Sequence, residues 1–69
     1  MLRLTQERRR RGLTQAAVAR MTGIHPAAIS QLEAGTAHPW PGWKARLARA
    51  LNVPADELFR EVADDGPAT

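Results

Sequence analysis

The chain has 69 residues and no cysteine, so it is long enough for one domain that neither disulfides nor a cysteine-based zinc site can stabilise. The net charge of +3 is unevenly distributed: residues 1–11 hold five arginines against one glutamate, whereas residues 54–69 hold one arginine against five acidic residues. A basic body with an acidic end is typical of a protein with a polyanion-binding face, although a solvated helix end gives the same pattern.

Several classes of protein are excluded by what the sequence lacks. It has no apolar stretch long enough to span a membrane and no apolar core of a signal peptide, which favours the cytoplasm. It has no nucleophile–base pairing, no paired carboxylates and no glycine-rich phosphate loop, so we expect no enzymatic activity and no cofactor. His25 and His38 have no second ligand at a useful spacing, so we expect no metal site.

Glycine and proline mark the ends of five predicted helices, and no β-hairpin signal is present. The first helix spans about residues 2–11 and ends at Gly12. Thr14 is predicted to cap a second helix over residues 15–22, which Gly23 ends. The apolar face of this second helix is predicted to consist of Val18, Ala19 and Met21.

The third and fourth helices are each predicted to begin at a proline, which is favoured at the first helical position because its missing N–H has no intrahelical partner there. The third runs from Pro26 to about Ala34, before Gly35, and the fourth from Pro41 to Leu51. We expect Trp40 and Trp43 to cover the core or a dimer contact rather than to stack on bases. The core stripe of the fourth helix is predicted to be Leu47, Ala48 and Leu51.

The last predicted helix holds Leu58 and Phe59 and fades by about Ala63. We therefore predict a domain over residues 1–63 followed by a flexible acidic tail over residues 64–69. The Met1 start and the acidic tail favour a small complete protein, and a fragment of a longer, ligand-sensing protein is the alternative.

The most informative unit is the pair of short helices over residues 14–35, joined by a turn that contains Gly23, which is the pattern of a helix-turn-helix. The small side chain of Ala19 lets the second helix of the pair cross closely. Gly23 supplies the positive φ that the turn needs. Ile24, Ile29 and Leu32 would fix that second helix to the core and leave its other face free for a DNA groove.

These residues resemble the phage repressor and Cro-like (XRE-type) helix-turn-helix regulators, from Leu4 to Phe59. The similar runs are Gly12-Leu13-Thr14-Gln15, Ile29-Ser30-Gln31-Leu32-Glu33 with Gly35, Leu47-Ala48-Arg49-Ala50-Leu51 with Val53, and Asp56-Glu57-Leu58-Phe59. The resemblance implies an all-α, compact five-helix, lambda-repressor-like domain. It also implies sequence-specific binding of double-stranded DNA by a protein that is usually dimeric.

The resemblance places four residues on the groove-facing side of the recognition helix, namely Pro26, Ala27, Ser30 and Gln31. Gln31 alone among them can make a bidentate contact, preferentially with adenine. With so few reading groups, we expect DNA shape and phosphate anchoring to supply much of the specificity.

The resemblance also implies contacts to DNA phosphates and one structural ion pair. Gln15 stands where the family contacts a phosphate at a helix N-terminus, and Arg8 and Glu33 stand where it often pairs an arginine with a glutamate. The predicted phosphate-contacting residues are Gln15, Arg8, Arg11, His25, Thr36 and His38. One departure is Glu7, at a position that is often apolar in the family, so we expect the first helix either to pack loosely or to have a different register.

The leading hypothesis is a small bacterial or phage transcriptional regulator, most simply a repressor, acting on the nucleoid as a homodimer at a pseudo-palindromic operator. The predicted dimer contacts are Val53, Leu58, Phe59 and Val62. The alternative is an antitoxin or an adaptor that uses the same fold to hold a protein partner.

Overall fold

The computed structural model describes residues 1–63 of the chain as five α-helices. They are α1 (Arg3–Arg10), α2 (Gln15–Thr22), α3 (Pro26–Ala34), α4 (Pro41–Leu51) and α5 (Ala55–Leu58). The predicted all-α, five-helix architecture is confirmed, with the bounds of α2 and α4 as the sequence predicts. The predicted tail over residues 64–69 lies outside the described residues. Within them, no helix is long and apolar enough to cross a membrane.

The two helices of the helix-turn-helix are α2 and α3, and local signals in the sequence set their ends. The Thr14 hydroxyl accepts a hydrogen bond from the Ala17 backbone N–H at 3.0 Å, which satisfies one of the free donors at the start of α2. At its other end, Gly23 adopts the left-handed conformation with φ of 74°, which side chains with a Cβ rarely adopt. The chain therefore turns sharply into α3.

One contiguous core holds the helices together. The helix α2 packs against α3 and α4, and α5 packs against α4 and α1. The buried apolar residues are Leu4, Val18, Ala19, Ile24, Ile29, Leu32, Leu47, Leu51, Val53 and Leu58. Every helix contributes to this core, and so do the connection between α2 and α3, through Ile24, and the connection between α4 and α5, through Val53. The fold therefore depends on all five helices.

The predicted apolar face of α2 is wrong at one position. Met21 is 51% exposed, whereas its neighbour Thr22 is buried. The Thr22 hydroxyl donates a hydrogen bond to the Val18 carbonyl one turn earlier, at 2.8 Å, and this bond allows a polar side chain to be buried. The α2 helix therefore turns a threonine rather than a methionine towards the core, and leaves a large apolar side chain on the surface.

The last helix is shorter than predicted, because α5 ends at Leu58 instead of fading near Ala63. The chain after it pairs with the N-terminus: the Arg3 N–H donates to the Arg60 carbonyl at 2.9 Å, and the Val62 N–H donates to the Met1 carbonyl at 2.8 Å. Leu2 and Glu61 form an isolated antiparallel bridge. The backbone groups near residues 1 and 62 thus satisfy one another, which a continued helix could not do.

Helix α1 is also better anchored than the sequence predicts. Leu4 is fully buried, and Glu7 is buried as well. The Glu7 carboxylate accepts a hydrogen bond from Arg3 Nε at 2.9 Å, and Arg11 Nη2 lies 3.6 Å from it. The hydrogen bond to Glu7 is the main cause of a raised pKa at Arg3. Arginine partners on the same helix therefore make a glutamate tolerable at a position that is often apolar.

The contrast between a buried and an exposed apolar residue gives a stability test. Leu47 is fully buried, so Leu47→Ala should lower the free energy of unfolding by about 2–5 kcal/mol through lost burial and a residual cavity. Met21→Ala is the matched control and should change it by no more than about 0.5 kcal/mol. Urea unfolding followed by circular dichroism measures both. Equal effects of the two substitutions would contradict this assignment of the core.

Candidate nucleic-acid interface

Helix α3 has two distinct faces. Ile29 and Leu32 are buried against the core. On the opposite side, an exposed strip contains Pro26, Ala27, Ser30 and Gln31. The structure therefore brings the four predicted base-reading residues together on one solvent-facing surface. This α3 strip is mostly small and uncharged, and Gln31 carries its only long polar side chain.

A buried carboxylate joins α3 to the two helices before it. Arg8 donates to both oxygens of Glu33, from Nε to Oε2 at 2.7 Å and from Nη2 to Oε1 at 3.0 Å. Gln15, the first residue of α2, donates from Nε2 to Oε1 of the same carboxylate at 3.0 Å. The Glu33 side chain is only 6% exposed, so these bonds replace the water that the charge would otherwise need.

This arrangement limits what Arg8 can do at a phosphate. Its third nitrogen, Nη1, donates to the Leu13 carbonyl at 2.9 Å, and the side chain is 12% exposed. Each guanidinium nitrogen therefore already has an acceptor within the protein. The structure gives Arg8 a role in positioning α1 against α3.

Gln15, unlike Arg8, keeps a donor for a ligand. It is the first residue of α2 and is half-buried. A side-chain amide has two N–H donors, and the bond to Glu33 uses one of them. The remaining amide N–H and the free backbone N–H groups of the first helical turn are suited to an anionic oxygen. The Glu33 carboxylate thus holds the Gln15 side chain beside the end of a helix that favours negative charge.

His25 precedes α3 and caps it. Its Nδ1 accepts a hydrogen bond from the Ala27 backbone N–H at 3.0 Å. A neutral imidazole that accepts at Nδ1 carries its proton at Nε2, so the exposed ring presents a donor. His25 therefore fixes the start of α3 and offers one N–H to a nearby acceptor.

The other predicted phosphate contacts are spread around these helices. Thr36 and His38 are exposed in the loop after α3, where the Thr36 hydroxyl donates to the Gln31 carbonyl at 3.3 Å. Arg11 is exposed at the end of α1 but close to Glu7. All three side chains are at the surface, and two of them already have a polar partner in the protein.

The two tryptophans lie in different surroundings. Trp43 packs, partly buried, against the core as predicted. The expectation that Trp40 covers the core is wrong, because it is 57% exposed and its ring meets that of His38 edge-on, with ring centroids 4.4 Å apart. The other expectation for Trp40, a dimer contact, stays a prediction. Trp40 directly precedes the first residue of α4, and its ring stays at the surface.

Burial also corrects the predicted dimer surface. Leu58 is fully buried and Val53 is 8% exposed, so both belong to the core and offer little surface to a second copy. Phe59 and Val62 are partly exposed, and the Lys44 ammonium lies 5.9 Å from the centroid of the Phe59 ring. Of the four predicted contacts, only these last two can contribute to an interface.

Two features of the site escape sequence reasoning. The bond between Gln15 and Glu33 joins residues 18 positions apart, and no pattern within either helix indicates it. Exposed Met21 lies beside Arg46 and Arg49 of α4 in a surface concavity, although each helix by itself shows only an ordinary amphipathic pattern. Among residues 1–63, no cluster of histidine and acidic side chains could hold a metal ion.

Comparison with known proteins agrees with this geometry. A family model described as a helix-turn-helix domain matches residues 2–61. The chain therefore belongs to this helix-turn-helix family, which is a family of DNA-binding domains. Neither the curated proteins nor the solved structures gave a significant match.

The buried ion pair gives a second test. Arg8→Met leaves the Glu33 carboxylate buried without its cation and should cost about 3–5 kcal/mol of unfolding free energy. The double variant Arg8→Met/Glu33→Met removes both charges and should recover part of that loss, because apolar side chains of similar volume often replace a buried pair without cost.

Thermal unfolding in a stabilising osmolyte, which keeps weak variants folded, measures this double-mutant cycle. Gln15→Ala is the control at the third residue of the network and should cost about 1.5–3 kcal/mol, the contribution of one hydrogen bond to a charged group, which is less than the loss from Arg8→Met. Additive losses in the double variant would show that Arg8 and Glu33 do not act as a pair.

Proposed function

We propose that this protein is a sequence-specific transcriptional regulator, most simply a repressor, that binds double-stranded operator DNA as a homodimer in the bacterial or phage-infected cytoplasm. The observation that carries the proposal is the α3 strip: one helix face is fixed in the core, and the opposite face is exposed and uncharged. A helix with such a face fits a major groove, which is wide enough for an α-helix.

The proposed roles divide by chemistry. Gln31 contacts a base edge, since its amide can donate to and accept from adenine together. Pro26, Ala27 and Ser30 provide close packing, methyl contact and a single hydroxyl. Gln15 and His25 donate to phosphates on either side of the groove, because both present N–H groups at the start of a helix. Thr36, His38 and Arg11 are the proposed outer phosphate contacts.

Much of the specificity in this proposal comes from DNA shape. The α3 strip has one side chain capable of bidentate contact, and a bidentate contact distinguishes bases by about 1–3 kcal/mol. Typical specific binding exceeds non-specific binding by about 4–10 kcal/mol. One bidentate contact therefore supplies only part of the free energy that separates specific from non-specific binding. In this proposal the remainder comes from the second copy of the dimer and from sequence-dependent bending or groove width of the DNA.

Dimerisation sets the spacing of the proposed site. Two copies related by a twofold axis would place their α3 helices in successive major grooves about 34 Å apart on a pseudo-palindromic sequence. Phe59 and Val62 are the proposed contacts, because they are the partly exposed apolar residues at the end of the described chain.

Selection of bound duplexes from a random pool tests the proposed function. The expected outcome is an enriched motif with twofold symmetry that persists as the salt concentration rises. Affinity without an enriched motif, falling steeply with salt, would reduce the function to non-specific polyanion binding. Absence of binding at low salt would reject a DNA-binding function altogether.

Gln31→Ala should lower affinity for the selected duplex by about 1–3 kcal/mol and relax the preference at one base step in each half-site. Gln15→Ala is the matched control, because the same truncation at a phosphate contact should weaken binding to all sequences alike. Fluorescence anisotropy on the selected duplex and on single-base variants measures both. Uniform weakening by Gln31→Ala would assign Gln31 to the backbone.

Phe59→Asp should convert the dimer into a monomer, because it places a carboxylate in the proposed apolar contact. Since Phe59 also packs partly against the core, Val62→Asp serves as a second variant, and circular dichroism checks that both fold. Sedimentation equilibrium gives the mass. A dimeric mass in both folded variants would move the interface elsewhere.

A further inference from the structure

A second surface lies between α2 and α4 and shares no residue with the α3 strip. It is a concavity of about 370 Å³ lined by Met21, Thr22, Arg46, Arg49 and Ala50. We call these residues the α2–α4 face. Met21 is six residues beyond Gln15, or about 9 Å along the helix axis at the usual rise per residue. The face is therefore at the opposite end of α2 from Gln15, next to the Gly23 turn that leads to His25.

The arginines of the α2–α4 face form no ion pair with any carboxylate of residues 1–63. Four arginines near the start of the chain lie close to carboxylates, namely Arg3, Arg8, Arg10 and Arg11. Within residues 1–63, in contrast, no carboxylate forms an ion pair with Arg46 or Arg49, and both side chains are exposed. Two positive charges are thus gathered at one concavity, and no carboxylate of residues 1–63 pairs with either of them.

Apolar side chains line part of the space between these charges. Met21 is 51% exposed and is one of two large apolar residues left on the surface within the described part of the chain. Ala50 and the buried Thr22 complete the floor. Methionine is flexible and polarisable, so it adapts to apolar side chains of different shapes. The concavity has room for an aliphatic side chain flanked by groups that arginine binds.

From this combination we infer that the α2–α4 face binds an acidic, amphipathic segment of a partner protein. Each guanidinium presents a planar pair of donors that matches a carboxylate, and the Met21 floor takes the apolar side chain between two acidic residues. Methionine and arginine are also the residue types enriched in protein–protein interfaces.

A protein segment fits this face better than a nucleic-acid backbone does. Phosphate binding needs cations and hydrogen-bond donors but gains nothing from an exposed methionine at the centre of the site. A carboxylate-bearing peptide uses both the arginines and the methionine. The inference does not depend on the proposed regulator function, because binding of a peptide can be measured without DNA.

The probe is a displayed library of random dodecapeptides, selected on the full chain and counter-selected on Arg46→Ala/Arg49→Ala. The expected result is enrichment of peptides with at least two acidic residues around a large apolar one. A synthesised selected peptide should bind the double variant at least tenfold more weakly. Met21→Ser should weaken its binding several-fold, because it removes the apolar floor while the charges remain.

Arg60→Ala is the matched control, since Arg60 is also an exposed arginine but lies outside the α2–α4 face. It should leave peptide affinity within about twofold, and circular dichroism checks that each variant folds. No enrichment, enrichment without acidic residues, or equal affinity for the double variant would each overturn the inference.

Two further results would assign the face to another ligand and so overturn the inference. A peptide of residues 60–69 that binds as tightly as the selected peptides would make the chain's own acidic end the occupant. A duplex whose affinity falls more with Arg46→Ala/Arg49→Ala than with two alanine substitutions at Arg9 and Arg60 would make this a nucleic-acid surface. If the unmodified chain binds the selected peptide but no duplex, the inference stands and only the regulator function is rejected.

Discussion

The Glu33 carboxylate is the group on which the geometry of the helix-turn-helix depends. It belongs to α3, it is nearly inaccessible to solvent, and it accepts hydrogen bonds from Arg8 of α1 and Gln15 of α2. A charge in that position is tolerable only while its partners hold their places, because an unpaired buried carboxylate is strongly destabilising. Three helices are therefore fixed relative to one another at the end where DNA recognition is proposed.

This polar network compensates for a small core. Within residues 1–63, ten buried apolar residues hold the five short helices in contact. They do not by themselves set the orientation of each helix, because hydrophobic burial is not directional. Hydrogen bonds supply the direction: Glu33 orients α1 and α2, Glu7 gathers the arginines of α1, and the backbone pairing of residues 1–3 with residues 60–62 closes the chain. Each replaces an interaction that a larger domain would obtain from side-chain packing.

Ion pairs with Glu7 and Glu33 also determine which arginines remain available to a ligand. The chain carries ten cationic residues, but several arginines of α1 are occupied by Glu7 and Glu33. The α3 strip itself has no charged side chain. Within residues 1–63, Arg46 and Arg49 of the α2–α4 face are exposed and form no ion pair with a carboxylate. The domain thus separates an uncharged surface suited to a groove from a charged, partly apolar surface suited to a protein, and a net charge alone could not indicate this separation.

Local rules in the sequence determined the helices, because Thr14, Gly23 and Pro26 act on the backbone within one turn of their own positions. The alternation of Ile29 and Leu32 with exposed residues likewise identified the two faces of α3. Tertiary structure alone decided that Thr22 rather than Met21 faces the core, that α5 ends at Leu58, and that Val53 and Leu58 are too deeply buried for a dimer contact. It also decided that Gln15 meets Glu33. These outcomes depend on contacts between distant parts of the chain, and no periodicity within one helix records which neighbour that helix will meet.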